Sequence, residues 1–138
     1  MDTCIFCEIV SGRLPCSRVY EDNDFLAFMD VKPVNRGHVL VVPKMHSDLV
    51  SGMSEESIGK MMIIAEKISS SIRKSDIKCE GINFFLADGE AAGQELFHVH
   101  LHVIPRFKND GFGFKFPADY GNKTSRDELD ELSRKIKL

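Results

Sequence analysis

The chain has 138 residues, of which 43% are hydrophobic, enough to build the core of one soluble domain. Lysine and arginine number 18 against 21 aspartates and glutamates, so the formal net charge is -3. A charge of this size argues against broad electrostatic binding of nucleic acid or of an anionic membrane. No apolar stretch has the length needed to span a bilayer, and we expect a cytoplasmic protein that binds neither partner.

The first part of the chain predicts one short helix followed by three strands. Apolar residues at helical spacing predict a short amphipathic helix over 5–10. Two runs rich in valine, tyrosine and phenylalanine, 17–21 and 25–29, flank the turn 22–24 and predict a hairpin. The run 37–43 is β-branched, is bounded by glycine and proline, and is apolar at successive positions. It predicts a central strand that is buried on both faces.

A long helix is predicted from Ser54 onward. Ser54 is suited to cap the helix, and Glu55 and Glu56 lie in its first turn, where the helix dipole favours negative charge. The apolar positions recur at steps of three and four residues, and they are Ile58, Met61, Met62, Ala65, Ile68 and Ile72.

The remainder of the chain predicts two more strands and a terminal helix. The strands cover 82–86 and 97–104, and the helix begins after Thr124 with Ser125 and Glu128 as a capping box. Leu129, Leu132 and Ile136 form the apolar stripe of that helix. The order of elements predicts an α+β fold with a largely antiparallel sheet.

Three of the five histidines lie in the last predicted strand, in His98-Val99-His100-Leu101-His102. Because side chains alternate across a strand, His98, His100 and His102 share one face and the valine and leucine enter the other. Such a concentration indicates a three-imidazole metal site or an imidazole nucleophile with neighbouring proton donors. Packed, hydrogen-bonded histidines are the alternative.

Histidine is well suited to attack phosphorus. Neutral imidazole is abundant near neutral pH, and its phosphoramidate adduct can be hydrolysed in a second step. The phosphoryl oxygens need hydrogen-bond donors, which the loop Ala92-Gly93-Gln94 offers through its main-chain N–H groups and the Gln94 amide. We therefore predict that His100 attacks a phosphorus atom of a nucleotide.

The run 98–104, the preceding Gly93-Gln94 and the run 37–43 together resemble the histidine-triad (HIT) family of nucleotide hydrolases and transferases, in particular its Hint-like, zinc-containing microbial branch. The resemblance implies a five-stranded antiparallel sheet with one long helix and short flanking helices, paired in a homodimer. It implies a single HIT domain over 1–138, with a core of about 4–106 and a C-terminal extension, 107–138, that carries the terminal helix.

The resemblance also implies roles for individual residues. His100 would become nucleotidylated on the α-phosphate, His102 and His98 would contact phosphate or the leaving group, and His38 would support the nucleophile. Asp30 would hold the ribose hydroxyls of a purine nucleotide, with Gly93 and Gln94 on the phosphate. The nucleobase slot would be lined by Ile5, Phe6, Ile9, Phe28, Val31 and Leu40. Asp30 as a turn cap and those apolar residues as plain core are the structural alternatives.

Cys4-x-x-Cys7 offers two thiolates to one zinc ion, and a closed structural site requires four ligands. The resemblance supplies His46 and His98 as the other two. Two cysteines on a short helix without a metal are the alternative. His98 cannot both bind zinc and donate a proton from the same nitrogen. We therefore treat it as a ligand first and assign the acid role to His102 or to the leaving group itself.

Three functions remain open at this point. The leading one is hydrolysis of purine nucleoside phosphoramidates or related conjugates. The loop 88–94 also resembles the Fhit branch, whose members cleave dinucleoside polyphosphates, while Ala87 and Glu95 replace the asparagine and hydroxyl residues usual in Hint-like proteins. A zinc-stabilised nucleotide-binding or adaptor module without turnover is the third. The aromatic run 111–116 is interpreted as packing against the core or a partner, with a strand or a lid as alternatives.

Overall fold

The computed structural model describes residues 3–138 and shows a five-stranded antiparallel sheet in the order β1-β2-β3-β5-β4. The helices are α1 (Ile5–Val10), α2 (Glu55–Lys74) and α3 (Arg126–Ile136); the strands are β1 (Arg18–Glu21), β2 (Phe25–Met29), β3 (Val39–Pro43), β4 (Gly81–Phe85) and β5 (Leu101–Arg106); short 3-10 turns lie at Val50–Gly52 and Glu90–Ala92. The predicted α+β class, hairpin and central third strand are confirmed. Among residues 3–138, none of the helices combines the length and apolar character that a membrane crossing requires.

Helix α2 begins where its sequence signals predict. The Ser54 hydroxyl accepts a hydrogen bond from the main-chain N–H of Ser57 at 3.1 Å, and the last turn carries Arg73 and Lys74, which suit the negative end of the dipole. One predicted core position differs: Met62 is 44% exposed and Ile64 is buried. The buried stripe is therefore rotated slightly from the one read from the sequence.

The sheet is apolar on both faces because helices cover both. One face packs on α2 through a large cluster that includes Phe25, Val41 and Ile68. The opposite face carries a smaller cluster, Phe6, Leu26, Phe28, Leu40 and Val42, to which α1 contributes Phe6. The histidines lie on this second face, so α1 is the element that packs beside the site.

The ladder of β5 begins at Leu101, four residues later than predicted. Residues 97–100 are outside it because the Val99 N–H donates to the carbonyl of Ser47 at 2.8 Å, in a loop rather than a strand. The predicted alternation nevertheless holds, since Val99 and Leu101 are buried in the α2 core. On the other face, Phe6 packs edge-on against both His98 and His100.

The C-terminal extension contains the predicted capped helix but not a strand. The Ser125 hydroxyl accepts the main-chain N–H of Glu128 at 3.2 Å. The aromatic run forms no strand; Phe116 instead stacks on Tyr120 with ring centroids 3.9 Å apart. The apolar stripe of α3 is exposed within one chain, with Leu132 44% exposed.

Candidate active site and metal centre

His100 lies immediately before β5, and one of its ring nitrogens has a fixed partner. Its Nδ1 is 2.8 Å from the carbonyl oxygen of His98. A carbonyl oxygen only accepts, so Nδ1 carries the proton, and in the neutral ring Nε2 carries the lone pair. Phe6 packs edge-on against the ring with centroids 5.1 Å apart. The ring is thus held in one tautomer, with Nε2 on the side away from the His98 carbonyl.

His102 and His38 form a second pair beside the first. His38 Nε2 is 2.8 Å from His102 Nδ1, and Asp30 Oδ2 is 3.6 Å from the same His38 nitrogen. Burial lowers the pKa of His38, an effect that Asp30 opposes, and burial together with His100 and His38 lowers the pKa of His102 to about 4. Both rings are therefore neutral at neutral pH. The structure places His38 against His102. Its support of the nucleophile, which the resemblance implies, stays a prediction.

His38 sits where it does because of the glycine before it. Gly37 has φ +94°, and an added Cβ would lie 2.9 Å from the Ile77 side chain. Only glycine accepts both the left-handed backbone and the close approach. The turn therefore delivers His38 to the start of β3 facing His102.

The loop predicted to cradle phosphate is built around Gly93 and Gln94. Gly93 has φ +92° at the end of a 3-10 turn. Gln94 is only 3% exposed, and its amide nitrogen donates to the carbonyls of Asp48 at 2.8 Å and Leu96 at 3.1 Å. Its amide oxygen accepts the Gly89 N–H at 2.8 Å. Both side-chain N–H groups are thus used within the chain, and Gln94 shapes the loop instead of presenting a free donor.

The residues predicted to line a nucleobase slot divide into two groups. Phe6, Phe28 and Leu40 are buried together in the cluster beside the histidines, and Ile9 packs against that cluster. Ile5 is 48% and Val31 93% exposed. Asp30 lies between, at the end of β2, where its Oδ1 accepts the Lys32 N–H at 2.8 Å. This turn-capping bond uses one carboxylate oxygen.

Four predicted metal ligands converge at the end of α1 nearest the histidines. The ligand atoms of Cys4, Cys7, His46 and His98 all lie within 4.8 Å of one another. Cys4 Sγ to His98 Nδ1 is 3.3 Å, Cys7 Sγ to His46 Nδ1 is 3.4 Å, and the two Nδ1 atoms are 3.2 Å apart. A tetrahedral zinc with bonds of about 2.0 Å to nitrogen and about 2.3 Å to sulfur separates its ligand atoms by about 3.3 to 3.8 Å. The donor set and its spacing fit zinc.

Both histidines of this cluster have their remote nitrogen fixed. His98 Nε2 lies 2.7 Å from the carbonyl oxygen of Pro43, and His46 Nε2 lies 2.8 Å from Asp48 Oδ1. Each Nε2 therefore carries a proton, which leaves both Nδ1 lone pairs facing the two sulfurs. Such outer partners are typical of metal-binding histidines. They also leave His98, which is fully buried, without a nitrogen to donate to substrate.

The Cys7 thiol is costly to ionise without a cation. Burial, and then the neighbouring Cys4, raise the pKa of Cys7 to about 11. A bound divalent cation would compensate two thiolates at close range. Burial also lowers the pKa of His98, which keeps its imidazole neutral as a ligand must be.

Two larger cavities lie beside this region without including His100. One of about 540 Å³ is lined by the metal-site residues Cys4 and His46 together with Ile5, Phe6 and Phe97 among others. The other, of about 570 Å³, is lined by the loop 33–36 together with Asp76, Ile77, Lys78 and Phe107.

Sequence reasoning missed Asp48 and the Pro43 carbonyl, which hold His46 and His98. It also missed the Val34 N–H, which donates to His38 Nδ1 at 3.0 Å. The His46-Ser47-Asp48 spacing is the one signal that offered a lead, because a carboxylate two residues from a ligand histidine often orients it.

Comparison with known proteins decides the family. Residues 11–109 match the family model described as HIT domain. The chain belongs to the HIT family. A HIT-like protein of Borreliella burgdorferi is 44% identical over 141 residues, covering 100% of this chain and 99% of that protein. A protein of Arabidopsis thaliana named adenylylsulfatase HINT3 is 36% identical over 107 residues, covering 78% of this chain and 54% of the plant protein.

Solved HIT structures share the fold. A HIT family protein from Bacillus anthracis aligns with TM-score 0.88 at 38% identity, covering 98% of this chain and 95% of that one. A zinc-bound histidine-triad protein from Mycobacterium smegmatis aligns with TM-score 0.77 at 38% identity, covering 96% and 91%. A histidine-triad nucleotide-binding protein from Candida albicans aligns with TM-score 0.86 at 29% identity, covering 98% and 95%. HIT proteins are in general nucleotide-binding hydrolases.

Proposed function

We propose that this HIT protein is a nucleotidyl hydrolase that cleaves purine nucleoside phosphoramidates or related conjugates at the α-phosphate, through a covalent intermediate on His100. The observation that carries the proposal is the 2.8 Å bond from His100 Nδ1 to the His98 carbonyl, which leaves Nε2 unprotonated. The plant relative is named for an adenylyl conjugate, which supports this substrate class.

The reaction has two steps. In the first, the leaving nitrogen takes a proton from solvent, His100 Nε2 forms a bond to phosphorus, and the bond from phosphorus to that nitrogen breaks to release a neutral amine. In the second, water forms a bond to phosphorus as the bond to His100 Nε2 breaks, the proton of that water returns to solvent, and the nucleoside monophosphate and neutral His100 are released. The ring becomes positively charged in the adduct, and the carbonyl of His98 stabilises that charge through Nδ1–H.

His102 acts in this scheme as a hydrogen-bond donor to the phosphoryl oxygens. Its pKa of about 4 makes it neutral under working conditions, so it stabilises developing charge as a neutral N–H group. The N–H groups predicted to bind phosphate are used inside the loop, since those of Ala92 and Gln94 donate to the Gly89 carbonyl and that of Gly93 to the Glu90 carbonyl. Gly93 and Gln94 therefore contribute the shape of the loop beside the phosphate. His38 orients His102.

The proposed substrate subsites follow the cluster beside the histidines. Asp30 holds the ribose hydroxyls through Oδ2, the oxygen that does not cap its own turn. The base rests on the apolar surface formed by α1 and the sheet, where Ile5 and Val31 are exposed and Phe6, Ile9, Phe28 and Leu40 lie beneath.

The test uses an adenylated amine as substrate. We expect His100→Ala to lose at least about 10³-fold in kcat, because the nucleophile itself is removed. Brief exposure of the unaltered protein, followed by mass spectrometry, should show one nucleotidyl group on a histidine-containing peptide. The matched control is Met45→Ala, an exposed change two residues after β3, which should keep full turnover and labelling. Near-normal turnover by His100→Ala would refute the nucleophile.

The same assays distinguish two other functions from phosphoramidate hydrolysis. Dinucleoside polyphosphate hydrolysis would use the same residues, and the ratio of kcat/KM for the two substrates distinguishes it from phosphoramidate hydrolysis. A zinc-stabilised binding or adaptor module would bind nucleotide but give neither turnover nor a labelled histidine.

We propose that Cys4, Cys7, His46 and His98 hold a structural zinc ion. The bound ion would tie α1 to the histidine segment and lower the cost of ionising the Cys7 thiol. Elemental analysis of protein purified without chelator should give about one zinc per chain; an absence of zinc would remove the proposal.

We also propose one HIT domain with a core of about residues 4–106 and an extension over 107–138, paired as a homodimer. The exposed apolar side chains of Phe84 and Phe85 on the edge strand β4, with those of Leu129 and Leu132 on α3, support association. Light scattering at working concentration tests it, and a monomer mass would contradict it.

A further inference from the structure

The protonation of His38 is dictated by the main chain. Its Nδ1 lies 3.0 Å from the backbone nitrogen of Val34, which donates. A backbone N–H cannot accept, so His38 Nδ1 must be the acceptor. In the neutral ring the proton is then on Nε2.

The same reasoning assigns the proton of His102. His38 Nε2 is 2.8 Å from His102 Nδ1, and the proton between them belongs to His38. His102 Nδ1 is therefore an acceptor, which places the His102 proton on Nε2. The charged and titratable groups facing this pair are Asp30 and His100, and burial holds both His38 and His102 neutral. One hydrogen-bond direction, set at Val34, thus decides the tautomers of two histidines.

The loop that carries Val34 is held by Asn35. The Asn35 amide nitrogen donates to the carbonyl of Pro105 at 2.9 Å and to Asp110 Oδ2 at 2.8 Å. Its own carbonyl accepts the His38 N–H at 3.2 Å. The Asp110 side chain is only 2% exposed and is paired with Arg106, so it is a rigid anchor. Asn35 therefore ties the Val34 loop to the end of β5.

We propose that Asn35 is a positioning residue that, through the Val34 N–H and His38, keeps His102 in the tautomer with its proton on Nε2. The inference rests on the proposed function in assigning His102 to the phosphoryl oxygens. The opposite tautomer would direct a lone pair at an anionic oxygen and would repel it. Asn35 itself touches neither substrate nor His102.

The primary test reads the tautomer without any substrate. Nitrogen-15 NMR of the full-length labelled protein distinguishes a protonated from an unprotonated ring nitrogen. We expect His102 protonated at Nε2 in the unaltered protein and mixed tautomers in Asn35→Ala. The matched control is Asn83→Ala, which loses a contact with the same Arg106 but none with the Val34 loop, and which should leave the signals unchanged. His102 protonated at Nδ1 in the unaltered protein, or unchanged signals in a folded Asn35→Ala, would overturn the proposal.

Kinetics and a second position extend the test. Asn35→Ala should lower kcat by about 10-fold to 100-fold, the range usual for outer-shell partners, with KM within about twofold. His38→Gln retains an N–H that can donate to His102 Nδ1 and should keep the tautomer, whereas His38→Leu should lose it. If His38→Leu keeps the tautomer, the relay is wrong. If no nucleotide conjugate is hydrolysed while the NMR pattern is as expected, the proposed function fails and the tautomer relay stands.

Discussion

The neutral state of His102 makes the stability of the fold depend on acid in a defined window. Its pKa is about 4 in the folded protein and near 6.5 when the ring is exposed, with burial the main cause. Between these two pH values His102 binds a proton in the unfolded chain and stays neutral in the folded chain. The stabilisation is therefore complete above pH 6.5 and is lost as the pH falls through 4.

The magnitude follows from the two pKa values. A gap from 6.5 to about 4 corresponds to at most about 3.4 kcal/mol. The ring keeps some contact with solvent, which screens the effect, and we expect about 2 kcal/mol. In a domain of this size that lowers Tm by roughly 6–10 °C.

Urea unfolding at pH 7 and pH 4.5 measures the effect in the unaltered protein and in His102→Gln. Glutamine does not titrate, yet its side-chain oxygen can accept the His38 N–H. Carboxylates and metal ligands titrate alike in both proteins, so the difference between the two pH dependences isolates His102. We expect the unaltered protein to lose about 1.5–2 kcal/mol more than the variant. Parallel curves within about 0.5 kcal/mol would refute a neutral, buried His102.

Three further outcomes concern the metal centre and the loop. Cys4→Ser should lower thermal stability more than activity, because it removes a proposed zinc ligand that lies outside the proposed substrate subsites. Thermal melting and turnover measure the two effects, and an equal loss of both would contradict this separation. Asp48→Ala should weaken zinc affinity by about 10-fold to 100-fold in a chelator competition, since His46 loses the partner that orients it, and an unchanged affinity would deny that role. Gln94→Leu should cost about 2–3 kcal/mol of unfolding free energy by leaving three main-chain groups without their partner, while Glu95→Gln, an exposed neighbour, should cost nothing measurable.

Much of the fold could be predicted from hydrophobic periodicity and from the capping and turn residues that bound each element. The period-3.6 stripe and the Ser54 cap gave α2 within a residue of its start, and the apolar run bounded by Gly37 and Pro43 gave the central strand. These elements are local consequences of their own residues. The start of β5 was placed too early because the partner of Val99 is a loop carbonyl distant in sequence, which no periodicity reveals.

The side-chain partners were less predictable for the same reason. Gln94 is a residue type that can bind phosphate, and it follows a glycine. Only the fold shows that its side-chain amide is instead hydrogen-bonded to the main chain of Asp48, Leu96 and Gly89. The apolar stripe of α3 was recognised, but a sequence pattern does not say what covers it.

His98 would link the proposed metal centre to the proposed nucleophile. Its Nδ1 faces the sulfurs, its Nε2 is held by Pro43, and its carbonyl receives the Nδ1 proton of His100. A ring fixed at both nitrogens and fully buried cannot turn, so its main chain cannot turn freely either. The Val99 N–H, held by Ser47 in the same loop as His46, fixes the next peptide. A zinc ion bound in the proposed way would therefore act on the chemistry only through the backbone, by keeping the carbonyl that selects the reactive tautomer of His100 in place.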